Sequence, residues 1–493
     1  CALPILAVDL TNVTALAASS LSDLGTLATA ITNNEFDNDT GITTIAVSDA
    51  TIDATTLAAR IDSFDTINGG STTGMTLAAG ATINVDADEV DHLLADETAN
   101  RLTISDQKIT VTNPITVDNA NLLMATTTGV VTATIATTET LTELGTLTDG
   151  VGQTNNLTIV IRSEDATVGT AADLNAINAV SATAIDLSNV TALAGSSLSD
   201  LGTLATAIGN NEFSNASGLT TIAVTDTTID ATTLATRIDS YDTINAGSTT
   251  DMTLASGATI NVDADEVAHM LADETAGRLT ITDQKITVTN AISVDNANLL
   301  DATTTGVVTA SITTTETVDE LQTLTGTGNA YTIVIAAGDA TNSTAAEFNT
   351  INDATTVAVD LTNVTALAGS SLSDLGTLAT AITNNEFSND DGLTTIAVTD
   401  TTIDATTLAA RIDSFDTING GSTTGMTLAS GATINVDADE VDHLLADETA
   451  NRLTISDQVI TVTNAITVDQ ANLLGATTTG KLTATIATTE TVT

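Results

Sequence analysis

Short apolar runs alternate with polar ones along the whole chain, at two different periods. Runs such as LTI (102–104) and KITV (108–111) alternate at period two, as half-buried strands do. Between them lie tight polar turns rich in Gly, Asn, Thr and Asp, and then short stretches with helical spacing. Residues 102–125, LTISDQKITVTNPITVDNANLLMA, show the unit whole: strand, turn, strand and a helical turn over DNANLLMA, with Asp118 as its expected N-cap. Equivalent helix starts are expected at Asp53, Asp86 and Thr170. Units of this kind open near Asp9, Ile42, Met75, Leu102, Val131 and Leu157, a period of about 30 residues, within the range that marks stacked repeats.

A longer period lies over the short one. VDLTNVTALA at Val8 returns as IDLSNVTALA at Ile185 and as VDLTNVTALA at Val359, 177 and then 174 residues on. Residues 51–74 and 402–425 are the same 24 letters. The chain therefore divides into a lead-in at 1–7, a first long copy at 8–184, a second at 185–358 and a third, incomplete, at 359–493. A 30-residue unit with one apolar face cannot bury it alone and must stack on its neighbours. The expected fold is a β-solenoid: an elongated stack of parallel β coils of about 30 residues with short helical segments on one side. Proline, confined to Pro4 and Pro114, is as scarce as ladder hydrogen bonding requires.

Composition sharpens the picture. Of 493 residues, 42% are hydrophobic, nearly all Ala, Val, Ile and Leu, with no Trp, two Tyr and six Phe. That is apolar enough for a continuous core and argues against general disorder. The charge balance is 10 basic to 63 acidic residues, a formal −53. Nucleic acid is excluded as a partner, because phosphate binding needs Lys and Arg. Such a surface gathers cations and tolerates salt, which suits a saline or extracellular setting. No apolar run reaches the roughly 18 residues of a membrane span. Cys1 is the one cysteine, so no intrachain disulfide forms. At a mature N-terminus it would be a candidate lipid anchor, but Ala7-Val8-Asp9 is already in repeat register, and a trimmed chain fits better.

Candidate chemistry is sparse. His92, His269 and His443 share one repeat position, in DADEVDHLLADE, DADEVAHMLADE and DADEVDHLLADE. On a helix Asp88, Glu89 and His92 would stand close enough for a weak metal site. The pattern fits a capping box of Asp86 with Glu89 better, with His92 one turn on. FDNDTG (36–41) offers Asp37, Asn38 and Asp39 as half a calcium loop, and FSNDDG (387–392) offers Asp390 and Asp391. FSNASG (213–218) has no carboxylate, so a solvated turn is expected there, with Ca2+ held at most diffusely by acidic turns. Threonines at TxT spacing (109–113, 286–290, 132–140) do not keep that spacing from unit to unit, which disfavours ice binding. Asn-x-Thr/Ser sequons stand at Asn12, Asn38, Asn156, Asn189, Asn215, Asn342 and Asn363. Hydrolase elbows, phosphate loops and HExxH are missing, so no catalytic, cofactor-binding or metal residue is assigned and no enzyme is expected.

AADLNAIN (171–178), VTALAGSSLSDLGTLATAI (190–208) and TTIDATTLAARIDSFDTIN (401–419) resemble the very large secreted β-strand-repeat proteins, adhesin-like or matrix, of cyanobacteria and other aquatic bacteria. The resemblance covers nearly the whole chain in style and period. It implies an exported, cell-surface or matrix role and transfers no functional residue. The expected function is a structural extracellular protein forming a fibre, sheath or adhesin stalk, its unpaired strand edges covered end to end by another subunit or by more of the same chain. The alternative is a calcium-dependent carbohydrate- or ice-binding adhesin module.

Overall fold

A computed structural model describes residues 7–150, 155–247 and 249–488; Cys1 and Pro4 lie outside them. Leu21, Leu24, Ala28 and Ile31 recur at helical spacing and all four are buried in the helix Leu21–Thr32. Burying each Leu or Ile contributes roughly 1.5–3 kcal/mol, enough to outweigh the poor helix propensity of the Gly and Thr between them. Ser20, with its later counterparts Ser197 and Ser371, caps the first turn by accepting from the N–H three residues on. The same helices stop where Asn34, Asn211 and Asn385 take left-handed φ values of 58°, 63° and 61°, a conformation asparagine tolerates. The strands keep period two: in Thr44–Val47 and Thr82–Val85 the Ile and Val face inward.

The chain divides into two compact units. The first comprises Cys1–Asp226 with Thr233–Ala255 and Thr275–Thr280; the second comprises Thr227–Thr232, Ser256–Glu274 and Ile281–Thr493. In the first unit the strands Ala15–Ser19, Thr44–Val47, Gly74–Thr76 and Leu102–Thr103 form one parallel sheet. Alternate strands, Thr51–Asp53, Thr82–Val85, Lys108–Val111, Val131–Thr134 and Asn156–Thr158, form another. Up to Lys108–Val111 the chain thus runs strand, strand, helix, each pass adding one strand to each sheet, and Val131–Thr134 and Asn156–Thr158 then extend the second sheet alone. Pairing is in register, Leu16 to Ile45 to Met75 to Leu102 in one sheet and Ile52 to Ile83 to Ile109 to Val131 in the other. These two inward rows make the core. The second unit repeats the arrangement with sheets of four strands (Ala366–Ser370 to Leu453–Thr454) and five (Thr228–Asp230 to Ala330–Thr332), and a further four from Thr402–Asp404 to Leu482–Ile486.

The β-solenoid expectation is overturned. Among the described residues nine small parallel sheets of two to five strands alternate with 16 helices and short 3-10 turns, 38% helical in all, an α/β pattern. The helices are full elements of 12 residues at Leu21–Thr32 and 14 at Ala54–Ile67, packed on one another in sequence order. Strands in a ladder stand about 4.8 Å apart whereas packed helices need about 8–10 Å. A continuous ladder cannot keep step with such helices, and the sheets stay short. One smaller correction goes with it. The helix expected from Asp118 is Val117–Thr126, capped by the Thr116 hydroxyl, which accepts from Asn119 N at 3.2 Å. Asp53 and Thr170 do cap their helices, Thr170 in a capping box with Asp173.

Candidate functional site

The histidine segment follows the strand Thr82–Val85. Asp86 caps a short 3-10 turn, Ala87–Glu89, accepting from Asp88 N at 3.4 Å, and the helix Val90–Thr98 follows. The expected reciprocal bond from Glu89 is not made. The Glu89 carboxylate instead accepts from the hydroxyl of Thr55 at the start of the preceding helix, and Glu266 and Glu440 do the same with Thr232 and Thr406. Asp86 is taken up by the next pass of the chain, where the Asn113 amide donates to both its oxygens at 2.9 Å. His92 is exposed, and the carboxyl whose charge it favours is that of Asp96, one turn on. In the second copy His269 Nε2 stands 4.0 Å from Asp273 Oδ1, with the histidine half exposed and the aspartate buried. No group of three His, Cys, Asp or Glu side chains among the described residues is placed to hold a metal ion.

Asp96 belongs to a cluster that sequence reasoning missed. Arg101 Nη1 pairs with Asp62 at 3.0 Å and Asp65 at 3.2 Å, and Nη2 pairs with Asp96. Arg452 repeats this with Asp413 and Asp416, each at 3.2 Å, and with Asp447. Arg278 holds Asp239 at 3.4 Å and Asp242 at 3.2 Å. Burial pushes the Asp96 and Asp447 carboxyls up, against the pull of the arginine and histidine beside them. Burial also works against the Arg101 and Arg452 charges, yet the surrounding carboxylates outweigh it and raise both. In the third copy a cleft of about 230 Å³ opens here, lined by Asp413, Glu440, His443 and Asp447 over Leu408 and Leu444. The arrangement supplies titrating groups and hydrogen-bond acceptors, and brings no cysteine or serine beside the histidine. The signal for it was in the sequence: six of the seven arginines recur at two repeat positions, 60/237/411 and 101/278/452.

The acidic turns are organised by their asparagine. Asn38 is left-handed (φ 56°) and its amide donates to Asp9 Oδ1 at 2.9 Å; Asn215 to Asp186 and Asn389 to Asp360 repeat the bond at 2.9 Å. Hydrogen bonds from Thr11 and Asn38 hold the Asp9 carboxyl down at about 2. Burial pushes Asp390 up. The residue present in all three copies is thus the one that does the work of the turn, while Asp37, Asp39, Asp390 and Asp391 differ between copies. Among the sequons, Asn189 and Asn363 spend their amides on Ile161 O and Ile335 O at 2.8 Å, whereas Asn12, Asn156 and Asn342 are exposed. One outward row across the five-stranded sheet reads Asp53, Asn84, Thr110, Thr132, Asn156, a mixed row and not a threonine ladder.

No helix among the described residues is long and apolar enough to cross a membrane. Compared with protein-family models the chain matches none, and a comparison with curated proteins finds no match.

Proposed function

We propose that the chain is a structural protein of the cell surface or an extracellular matrix, without catalytic activity, built to associate with further repeats of its own kind. The observation behind this reading is that whole bonding patterns recur, not only residues. Arg60, Arg237 and Arg411 donate Nε to Leu21 O, Leu198 O and Leu372 O at 3.0, 3.0 and 3.1 Å. Asp49, Asp226 and Asp400 each accept at 2.8 Å from the first N–H of a helix 28 residues earlier. An active site needs one set of side chains that departs from its copies, and the clusters described above are repeated.

Unequal burial of equivalent positions supports the association. Val8 is 56% exposed, whereas Ile185 and Val359 in the same place are fully buried; Ile486 is 41% exposed, against 2% for Ile135 and 4% for Ile312. The backbone N–H groups of Asp186 and Asp360 donate to Ile159 O and Ile333 O of the preceding pass, which is the kind of surface that covers this face inside the chain. A subunit or segment of the same type would cover Val8 and Ile486 likewise. Divalent cations would bridge such chains, since the arginines are already bonded to carboxylates or carbonyls and the 63 acidic residues exceed the 10 basic ones by 53. Electron microscopy of the native material, with and without a calcium chelator, tests the reading. Filaments or sheets with a regular repeat are the expected result. Discrete particles that stay single with calcium present would overturn it.

A further inference from the structure

We propose that the two grooves between consecutive helices at Arg237 and Arg411 are binding sites for an uncharged, polyhydroxylated ligand, a saccharide unit, independently of calcium. The first groove, about 540 Å³, lies between the helices Ala171–Asn178 and Leu198–Gly209; the second, about 440 Å³, lies between Ala345–Asp353 and Leu372–Thr383. Both volumes fall in the range of ligand sites, roughly 300–1,000 Å³. Their linings correspond position by position: Asn175, Asn178, Ser199, Gly202, Glu212 and Arg237 in one, and Asn349, Asn352, Ser373, Gly376, Glu386 and Arg411 in the other.

Each groove holds donors and acceptors that the fold leaves unused. The arginine spends Nε on a helix carbonyl, and its guanidinium lies so close to the glycine that a Cβ there would stand 2.3 Å from Nη2 at Gly202 and 2.5 Å at Gly376. In the same linings, the buried Oδ1 atoms of Asn175 and Asn349 accept no hydrogen bond, while their amide nitrogens donate to Asp200 O and Asp374 O at 3.0 and 3.1 Å. An orphaned acceptor of this kind is rare, because leaving it unmet costs about 1–3 kcal/mol. The Ser199 and Ser373 side chains are exposed at the rim. Glu212 and Glu386 bring a carboxylate, each held by a neighbouring asparagine, Asn178 at 2.6 Å and Asn352 at 2.7 Å.

The mixture selects the ligand class. An anion would satisfy the guanidinium but give Asn175 Oδ1 no donor, and would meet Glu212 and a chain of net charge −53. A cation would meet the arginine. An apolar ligand would leave every group unmet. A hydroxyl-rich ligand both donates to the asparagine and glutamate oxygens and accepts from the guanidinium. With no aromatic side chain in the lining, affinity per site is expected to be weak. Arg60 makes the same bond to Leu21 O but lines neither groove.

The test uses the full chain on an array of neutral and acidic oligosaccharides in the presence of a chelator, followed by calorimetric titration of the strongest neutral binder. Binding of two equivalents per chain, one lost in Arg237→Gln and both in Arg237→Gln/Arg411→Gln, is the expected result; Arg60→Gln keeps both. Because the arginine variants also lose a packing contact, Ser199→Phe/Ser373→Phe, which fills the rim without touching a bond of the fold, must abolish binding by at least tenfold as well. Absence of any neutral glycan from the array hits, salt-sensitive binding of acidic glycans alone, or binding that survives the serine variants would each overturn the assignment. Assembly followed by electron microscopy is a separate readout, so filaments without glycan binding defeat this proposal alone.

Discussion

Replacing Arg452 by Gln removes the guanidinium that pairs with Asp413, Asp416 and Asp447. The magnitude follows from their burial. Asp413 has a side chain 56% exposed, and its pair contributes little, about 0–0.5 kcal/mol. Asp447 is 1% exposed and would be left as an uncompensated buried carboxylate, a change of about 3–5 kcal/mol where both partners are buried. Arg452 is itself 24% exposed, so water replaces part of the lost pairing, and about 3 kcal/mol is the expected loss. The pH dependence has a definite sign. Asp447 titrates above its unfolded value, so the folded state is penalised as pH rises through that range, and the penalty is absent in acid. The variant enlarges the penalty at neutral pH, and the difference from the parent chain shrinks as pH falls toward 4.

A chain of two compact units does not unfold as one step, so the assay is local: hydrogen exchange of the substituted segment read by mass spectrometry. Residues 86–107 and 437–458 are identical in sequence, and the substitution separates their peptides by mass. The unchanged first copy then serves as a control in the same tube, cancelling intrinsic exchange rates. At pH 7 the helix Val441–Thr449 is expected to exchange about 100-fold faster than Val90–Thr98, since 1.4 kcal/mol is a factor of ten. Exchange of the two peptides within a factor of three would refute the reasoning, and so would a gap that widens in acid.

Three further expectations are simpler. Ile396→Ala removes a fully buried side chain from the row Leu367, Ile396, Met426 and should cost about 2–5 kcal/mol, measured as faster exchange of Thr395–Val398. Thr140→Val breaks the capping box in which Thr140 and Glu143 bond each other's backbone, and about 1 kcal/mol of local protection at Leu141–Leu144 should go with it. Asn38→Ala deprives Asp9 of one donor; its carboxyl, now held at about 2, should titrate nearer the ordinary carboxylate range in a pH series followed by NMR, and unchanged titration would show the turn bond to be idle. The stability linked to Asp9 is present above its unfolded value and lost as pH falls toward 2, so the variant should lose it at higher pH than the parent.

The sequence by itself determined the local units. The period-two run KITV became a strand, and the helix starts expected at Asp53 and Thr170 fall where those residues cap, because these depend on neighbours within a few residues. The repeated spacing announced that whatever one copy does the others do too. Tertiary structure decided the rest. Helices read as minor additions became a main layer of the fold, since their buried faces, Ala54, Leu57, Ile61 and Phe64 for one, acquire weight only against the neighbouring sheets and helices. The Asp86–Glu89 pair looked like a local cap, yet Glu89 bonds Thr55 and Asp86 bonds Asn113, partners 34 and 27 residues away. The arginines, unremarked in a chain so acidic, turned out to lie where carboxylates and carbonyls from neighbouring passes meet. A pairing between passes leaves no mark in a local pattern, because what fixes it is which side chains the packing of sheet on helix brings within hydrogen-bonding distance.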